Sequence, residues 1–120
     1  MKHDNLKDRT KKFALLVILM VEGLPKSRTS EVIGKQLLRS GTSVGANYRA
    51  ACRARSPADF VAKMGIVEEE TDESIYWMEL LVEAKLIAED RLQALIGEAK
   101  ELLAIVVASI RTAKRSRNER

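Results

Sequence analysis

Catalysis needs a nucleophile beside a base, a paired acid and base, or a cluster of metal ligands, and this 120-residue chain offers few residues for any of them. The single histidine, His3, stands at the start of the chain. Cys52 is the only cysteine, so no intrachain disulfide can form, and its small neighbours suggest a packed thiol rather than a reactive one. Ser40 and Ser43 have no basic partner at their positions. Glu69, Glu70 and Glu73 could gather a hard cation, but an acidic face set against arginines is the simpler reading. Without a second histidine, the Glu-x-x-His pattern of di-iron bundles is absent. Gly41 and Gly45 lie within a helical pattern and form no phosphate-cradling loop. The expectation is a non-enzyme with no catalytic residue, metal or cofactor.

The remaining chemistry is that of cations. Residues 1–55 carry 12 Lys or Arg against 4 acids, residues 56–110 carry 4 against 12, and residues 111–120 carry 5 against 1, so the net charge of +4 conceals a strong internal polarity. Two readings compete. In the structural one, Arg39, Arg49 and Arg53 pair with Glu69, Glu70, Asp72 and Glu73 across a helix contact or a subunit boundary, which sets orientation more than stability. In the functional one, basic surfaces meet nucleic-acid phosphates. Lys7, Arg9, Lys11 and Lys12, with Arg111, Lys114, Arg115 and Arg117, have fewer acids nearby in sequence. These eight are the candidate nucleic-acid contacts.

The elements that must position them are helical. A composition of 46% hydrophobic and 32% charged residues, with two prolines, fits one folded helical domain spanning residues 1–120. A first helix is expected over about 5–24, with Phe13, Leu16, Val17, Met20 and Leu24 inward. Leu15, Ile18, Leu19 and Val21 widen its apolar surface beyond what one bundle face needs, suggesting burial on two sides or against a second chain. Gly23 and Pro25 end it. A second helix over about 30–55 has Thr29 or Ser30 as cap, with Ile33, Leu37, Val44, Tyr48 and Ala51 inward. Ser56-Pro57-Ala58-Asp59 restarts the chain as a capped helix over about 57–86. Phe60, Met64, Val67, Thr71, Ser74, Met78 and Leu81 form its heptad seam. A fourth helix covers about 89–113, with Leu92, Leu95, Ile96, Ala99, Leu102, Leu103, Val106 and Ile110 inward, ahead of a basic end at 111–120. Short connections make this an all-α, antiparallel up-down-up-down four-helix bundle.

The second helix is anomalous. Gln36, Ser40, Ser43 and Asn47 recur by four, three and four and make a polar stripe beside its apolar one. Gly41 and Gly45 each cost about 1 kcal/mol in a helix interior, which points to close approach of another backbone. Trp77 could stack on a base, although a lone tryptophan on a bundle helix is more often core or interface.

The run Gln36-Leu-Leu-Arg-Ser-Gly-Thr-Ser-Val-Gly-Ala-Asn-Tyr-Arg-Ala-Ala51, followed by Arg53-Ala-Arg-Ser-Pro-Ala-Asp-Phe60 and Glu68-Glu-Glu-Thr-Asp-Glu-Ser-Ile-Tyr-Trp-Met-Glu-Leu-Leu81, carries a resemblance. Over roughly residues 6–115 the chain resembles the four-helix-bundle family that includes proteins encoded in intervening sequences of large-subunit ribosomal RNA genes and the accessory variability proteins of diversity-generating retroelements. Where another large branch reads Ile-Ala-Glu-Gly after the asparagine, this chain has Tyr48-Arg-Ala-Ala51. The resemblance implies a ring-like homo-oligomer, a pentamer, and makes Gln36, Arg39, Ser40, Ser43, Asn47, Glu70, Glu73 and Trp77 its structural motif and interface.

Phe13–Val21 is an apolar run preceded by two lysines, but Glu22 closes it, no small-x-small cleavage pattern follows, and nine residues fall short of the roughly 20 that span a bilayer. A cytoplasmic protein without membrane contact is expected. Its leading function is an oligomeric adaptor binding RNA or another nucleic acid through basic surfaces. The alternative is a protein–protein scaffold that docks a reverse transcriptase or a ribosome-associated factor without touching nucleic acid.

Overall fold

The computed structural model describes residues 2–118, with side chains from residue 5 onward. Four helices follow one another: α1 (Lys2–Glu22), α2 (Arg28–Cys52), α3 (Pro57–Glu83) and α4 (Glu89–Asn118). Connections of four or five residues force each helix back along its predecessor, giving the expected antiparallel bundle, a rod of 53 × 22 × 21 Å. Helix α2 lies against both α1 and α3, and α3 against α4, whereas α1 meets α4 over a much shorter stretch. The bundle is thus less tightly closed along the α1–α4 seam.

Local chemistry sets the ends. Ser27, rather than Thr29 or Ser30, caps α2, its Oγ accepting from the Ser30 N–H at 3.1 Å. Starting the helix earlier carries Ser30 into the interior and sets Gly34 over Leu24 and Val21. Ser56 caps α3 as expected, with Pro57 as the first helical residue. Helix α3 stops at Glu83, three residues short of expectation, because Lys85 turns left-handed at φ 61°. The Leu86 and Lys85 N–H groups then donate to the carbonyls of Leu81 and Val82, which closes the helix end. Helix α4 runs on to Asn118, past the expected end near 113, so the basic residues from Arg111 to Arg117 are helical, and Arg120 lies outside the described residues. Nothing there breaks the helix, and cations suit its negative end.

The heptad seam of α3 is buried from Met64 to Leu81, with Phe60 half-buried, and α4 presents Leu92, Leu95, Ala99, Leu102, Val106 and Ile110 to it. Helix α1 departs from expectation at Leu16, which is 40% exposed. The stripe that enters the core is Leu6, Thr10, Phe13 and Val17, a helical row that starts earlier than the apolar run. Leu15, Leu16, Ile18 and Leu19 are left as an exposed apolar face.

The glycines of α2 explain how α1 sits so close. A Cβ at Gly41 would stand 2.9 Å from both methyls of the buried Val17, and one at Gly45 would stand 3.3 Å from the backbone of Thr10. Gly97 on α4 has nothing within 4 Å. In urea denaturation, Gly41→Ala should destabilise the fold by about 1–3 kcal/mol through overpacking. Gly97→Ala should stabilise it by about 0.5–1 kcal/mol through helix propensity alone.

Candidate nucleic-acid interface

Helices α2 and α3 meet through small and charged groups. Ser40 and Ser74 are buried, and the Ser74 hydroxyl donates to Ser40 Oγ at 3.0 Å, a contact that only two small side chains at facing positions permit. Beside it Arg39 forms ion pairs with Glu70, at 3.0 Å, and with Glu73, and its Nε donates to Gln36 Oε1 at 3.4 Å. The half-buried Trp77 donates its indole N–H to Glu73 Oε2 at 2.9 Å and stands edge-on to Tyr76. That indole bond, with Arg39 beside it, holds the Glu73 carboxyl below its ordinary pKa despite partial desolvation. The hydrogen bond to Glu73 likewise raises Arg39, which keeps its charge at any workable pH. Ser43 and Asn47 are half-buried and bond carbonyls of their own helix, at Arg39 and Ser43 respectively. So of the stripe, Ser40 bridges directly, Gln36 acts through Arg39, and the other two turn back on α2.

Arg49 and Arg53 do not join this network. Both are exposed and make no ion pair with Glu69 or Asp72 among the described residues. Antiparallel order explains why: the C-terminal end of α2 lies beside the start of α1 and far from the middle of α3, where the acids sit.

The same order brings four chain segments to one end of the rod: the start of α1, the end of α2, the turn into α3, and the end of α4. Lys7, Arg49, Arg53, Arg55, Arg111, Lys114, Arg115 and Arg117 are all exposed there, and none has an ion-pair partner among the described residues, whereas Lys11 and Lys12 stand exposed midway along α1. Among the described side chains two acids share these segments, Asp8 and Asp59, and Asp59 is engaged by Lys63 at 2.7 Å and by the Arg55 N–H at 3.2 Å. These bonds hold the Asp59 carboxyl below its usual range. At the far end Glu22, Glu31, Glu79, Glu83, Glu89 and Asp90 stand among Lys26, Arg28, Lys85 and Arg91, so both signs are present with a small excess of acid. Unbalanced positive charge is therefore gathered at one pole of the long axis.

One candidate contact is already committed. Arg9 donates through Nε and Nη2 to the two oxygens of Glu98, at 3.0 and 2.7 Å, and through Nη2 to Glu101 at 3.0 Å. It is a strut from α1 to α4, and its carboxylate bonds, Glu98 first, raise its pKa further. Of the other seven candidates, Lys7, Arg111, Lys114, Arg115 and Arg117 converge on the basic end, joined by Arg49, Arg53 and Arg55, while Lys11 and Lys12 lie exposed midway along α1. Those three follow from sequence once antiparallel connectivity is applied, since it sets the end of one helix beside the start of the one before it.

Cys52 is exposed rather than packed, because it ends α2 on the outward side and faces a cavity at this basic end. His3 lies outside the described side chains. No group of three His, Cys, Asp or Glu among the described residues could hold a metal ion, and no described helix is long and apolar enough to cross a membrane.

A family model described as "23S rRNA-intervening sequence protein" matches residues 3–108. A crystal structure of a protein of unknown function from the S23 ribosomal protein family of Bacteroides thetaiotaomicron is similar at 34% identity with a TM-score of 0.86, covering 92% of this chain and 99% of that one. No curated protein matches.

Two measurements check the geometry. Glu73 has a lowered folded pKa, so its stabilising contribution is whole above its ordinary value of 4.5 and is lost as pH falls through that value and below. Trp77→Phe removes the first cause of that depression. An NMR titration of the Glu73 carboxyl should therefore show its pKa rising in the variant, and stability should fall less steeply on acidification below 4.5. Separately, Arg9→Gln should lower unfolding free energy by about 1 kcal/mol, the scale of a partly exposed bidentate pair, whereas Lys7→Gln should leave stability unchanged.

Proposed function

The chain belongs to the family of 23S rRNA-intervening sequence proteins, and on that premise we propose that it is a non-enzymatic adaptor that binds RNA at the basic end of its bundle through phosphate contacts. The observation that carries this reading is the gathering of eight cations that form no ion pair among the described residues, from four segments of the chain, onto one end of a rod whose other end mixes both signs. Cations paired within the fold, such as Arg9 and Arg39, stabilise it. Unpaired ones clustered together repel one another and favour a polyanion, whose arrival releases condensed counterions. The polarity along the axis also orients the approach of such a ligand, basic end first. The family's name refers to an intervening sequence of the 23S rRNA, and structured RNA is the polyanion this reading takes first. Binding of this kind reads charge and shape rather than base sequence.

The adaptor works as a homo-oligomer in this reading, a pentamer by the resemblance to its family. Its support is the face of Leu15, Leu16, Ile18 and Leu19, exposed on α1 at 38–69%. A row of large apolar side chains in water favours a partner surface. That same face supports a second reading, a scaffold that docks a different protein there. The two readings part on whether RNA binds.

Titration of a structured RNA across about 50–200 mM salt should show affinity falling steeply, with a log–log slope of about 0.7–0.9 per phosphate neutralised. Replacing Lys114, Arg115 and Arg117 by glutamine should shrink that slope by about 1 for each phosphate the variant leaves unneutralised, and Arg9→Gln should leave it unchanged. An absence of binding even at the lowest salt would reject the adaptor and favour the scaffold.

A further inference from the structure

At the basic end lies a cavity of about 540 Å³, within the size range of small-ligand sites. Its lining combines two chemistries. Lys7 from the start of α1 and Arg117 from the end of α4 are exposed cations with no ion-pair partner among the described residues, and no acid lines the cavity with them. Between them stands an apolar wall of Ala54, Pro57, Phe60 and Ala113. Phe60 is the one aromatic ring in that wall, and it is half-buried, packed against the core on one side. Solvated cations over an apolar, ring-bearing slot suit a ligand that is flat and apolar at one end and anionic at the other.

We propose that this cavity holds a single unpaired nucleotide of the bound RNA, its base against Phe60 and Pro57 and its phosphate between Lys7 and Arg117. The inference rests on the adaptor reading above and adds to it a preference for RNA with a nucleotide free of pairing. Aromatic stacking tolerates any base, so the slot discriminates paired from unpaired and leaves sequence unread. A neighbouring cavity between α1 and α4 shares Phe60 and Ala113, but the cation on its rim is Arg9, already held by Glu98 and Glu101. An anionic ligand is therefore drawn to the first cavity rather than the second.

The test compares a blunt RNA duplex with the same duplex carrying a one-nucleotide overhang, at matched salt. The overhang should tighten binding about 5-fold or more, about 5-fold being the lower end of what stacking one base supplies. Cys52 lines the same cavity, so at equal occupancy the overhang RNA should slow its alkylation more than the blunt duplex does. Phe60→Leu, which keeps an apolar side chain against the core, and Ala54→Leu, which fills the cavity from its rim, should each abolish the preference and spare binding of the blunt duplex. Equal affinity for the two RNAs, with Cys52 protected no more by one than by the other, overturns the nucleotide site and leaves the basic-end reading standing. Failure of both RNAs to bind overturns the two together.

Discussion

Helix α2 has one face of glycines and one of serine, and the bundle is assembled around that fact. On one side Gly41 admits Val17 at a distance that a Cβ would obstruct, and Gly45 lets the Thr10 backbone come closer than a Cβ would comfortably allow. On the other, Ser40 meets Ser74 of α3. Such contact holds α1 and α3 in register along α2, because a slide along the axis would drive Val17 into a position bearing a side chain. With register held, the ends of the four helices are also held. The basic end is therefore a consequence of close packing as much as of charge.

Within that frame charge is divided between two uses. Arg39 and Arg9 are placed where carboxylates face them across helix boundaries, and each is bonded by two acids. Each pair orients two helices, with modest stability at best because the groups are partly exposed. The remaining cations stand at a helix end where antiparallel folding sets few acids beside them. The same Lys and Arg content would be more nearly neutralised if α3 ran parallel to α2, with Glu79 and Glu83 beside Arg49 and Arg53. Direction of travel alone makes the difference.

The wider apolar surface of α1 shows how far periodicity can be read. A row of Leu, Ile, Val and Met spread around a cylinder marks a wide apolar surface, but it does not say which side belongs to the chain's own core. Phe13 and Val17 are inward as read, whereas Leu16 is not, because the contact with α2 is aimed by its glycines and the core row runs through Thr10 and Leu6 instead. Cys52 departs from its sequence reading for a related reason: small neighbours resemble a packed environment, yet they lie at the last turn of α2, where the helix runs out of partners on that side.

From sequence alone came the four helices, their order, the Ser56-Pro57 restart, the heptad seam of α3, the helix-2 motif and the acidic stretch that receives Arg39. Each is written in local spacing, where residues three and four apart share a face whatever the rest of the chain does. Only the tertiary structure decided which arginines are bound within the fold and which stay free, where α2 begins, that the basic stretch from Arg111 to Arg117 continues α4, and that distant segments line an open cavity at one pole. Those outcomes depend on which helix ends become neighbours in space, and proximity across a bundle is fixed by packing distances that no single helix's spacing contains.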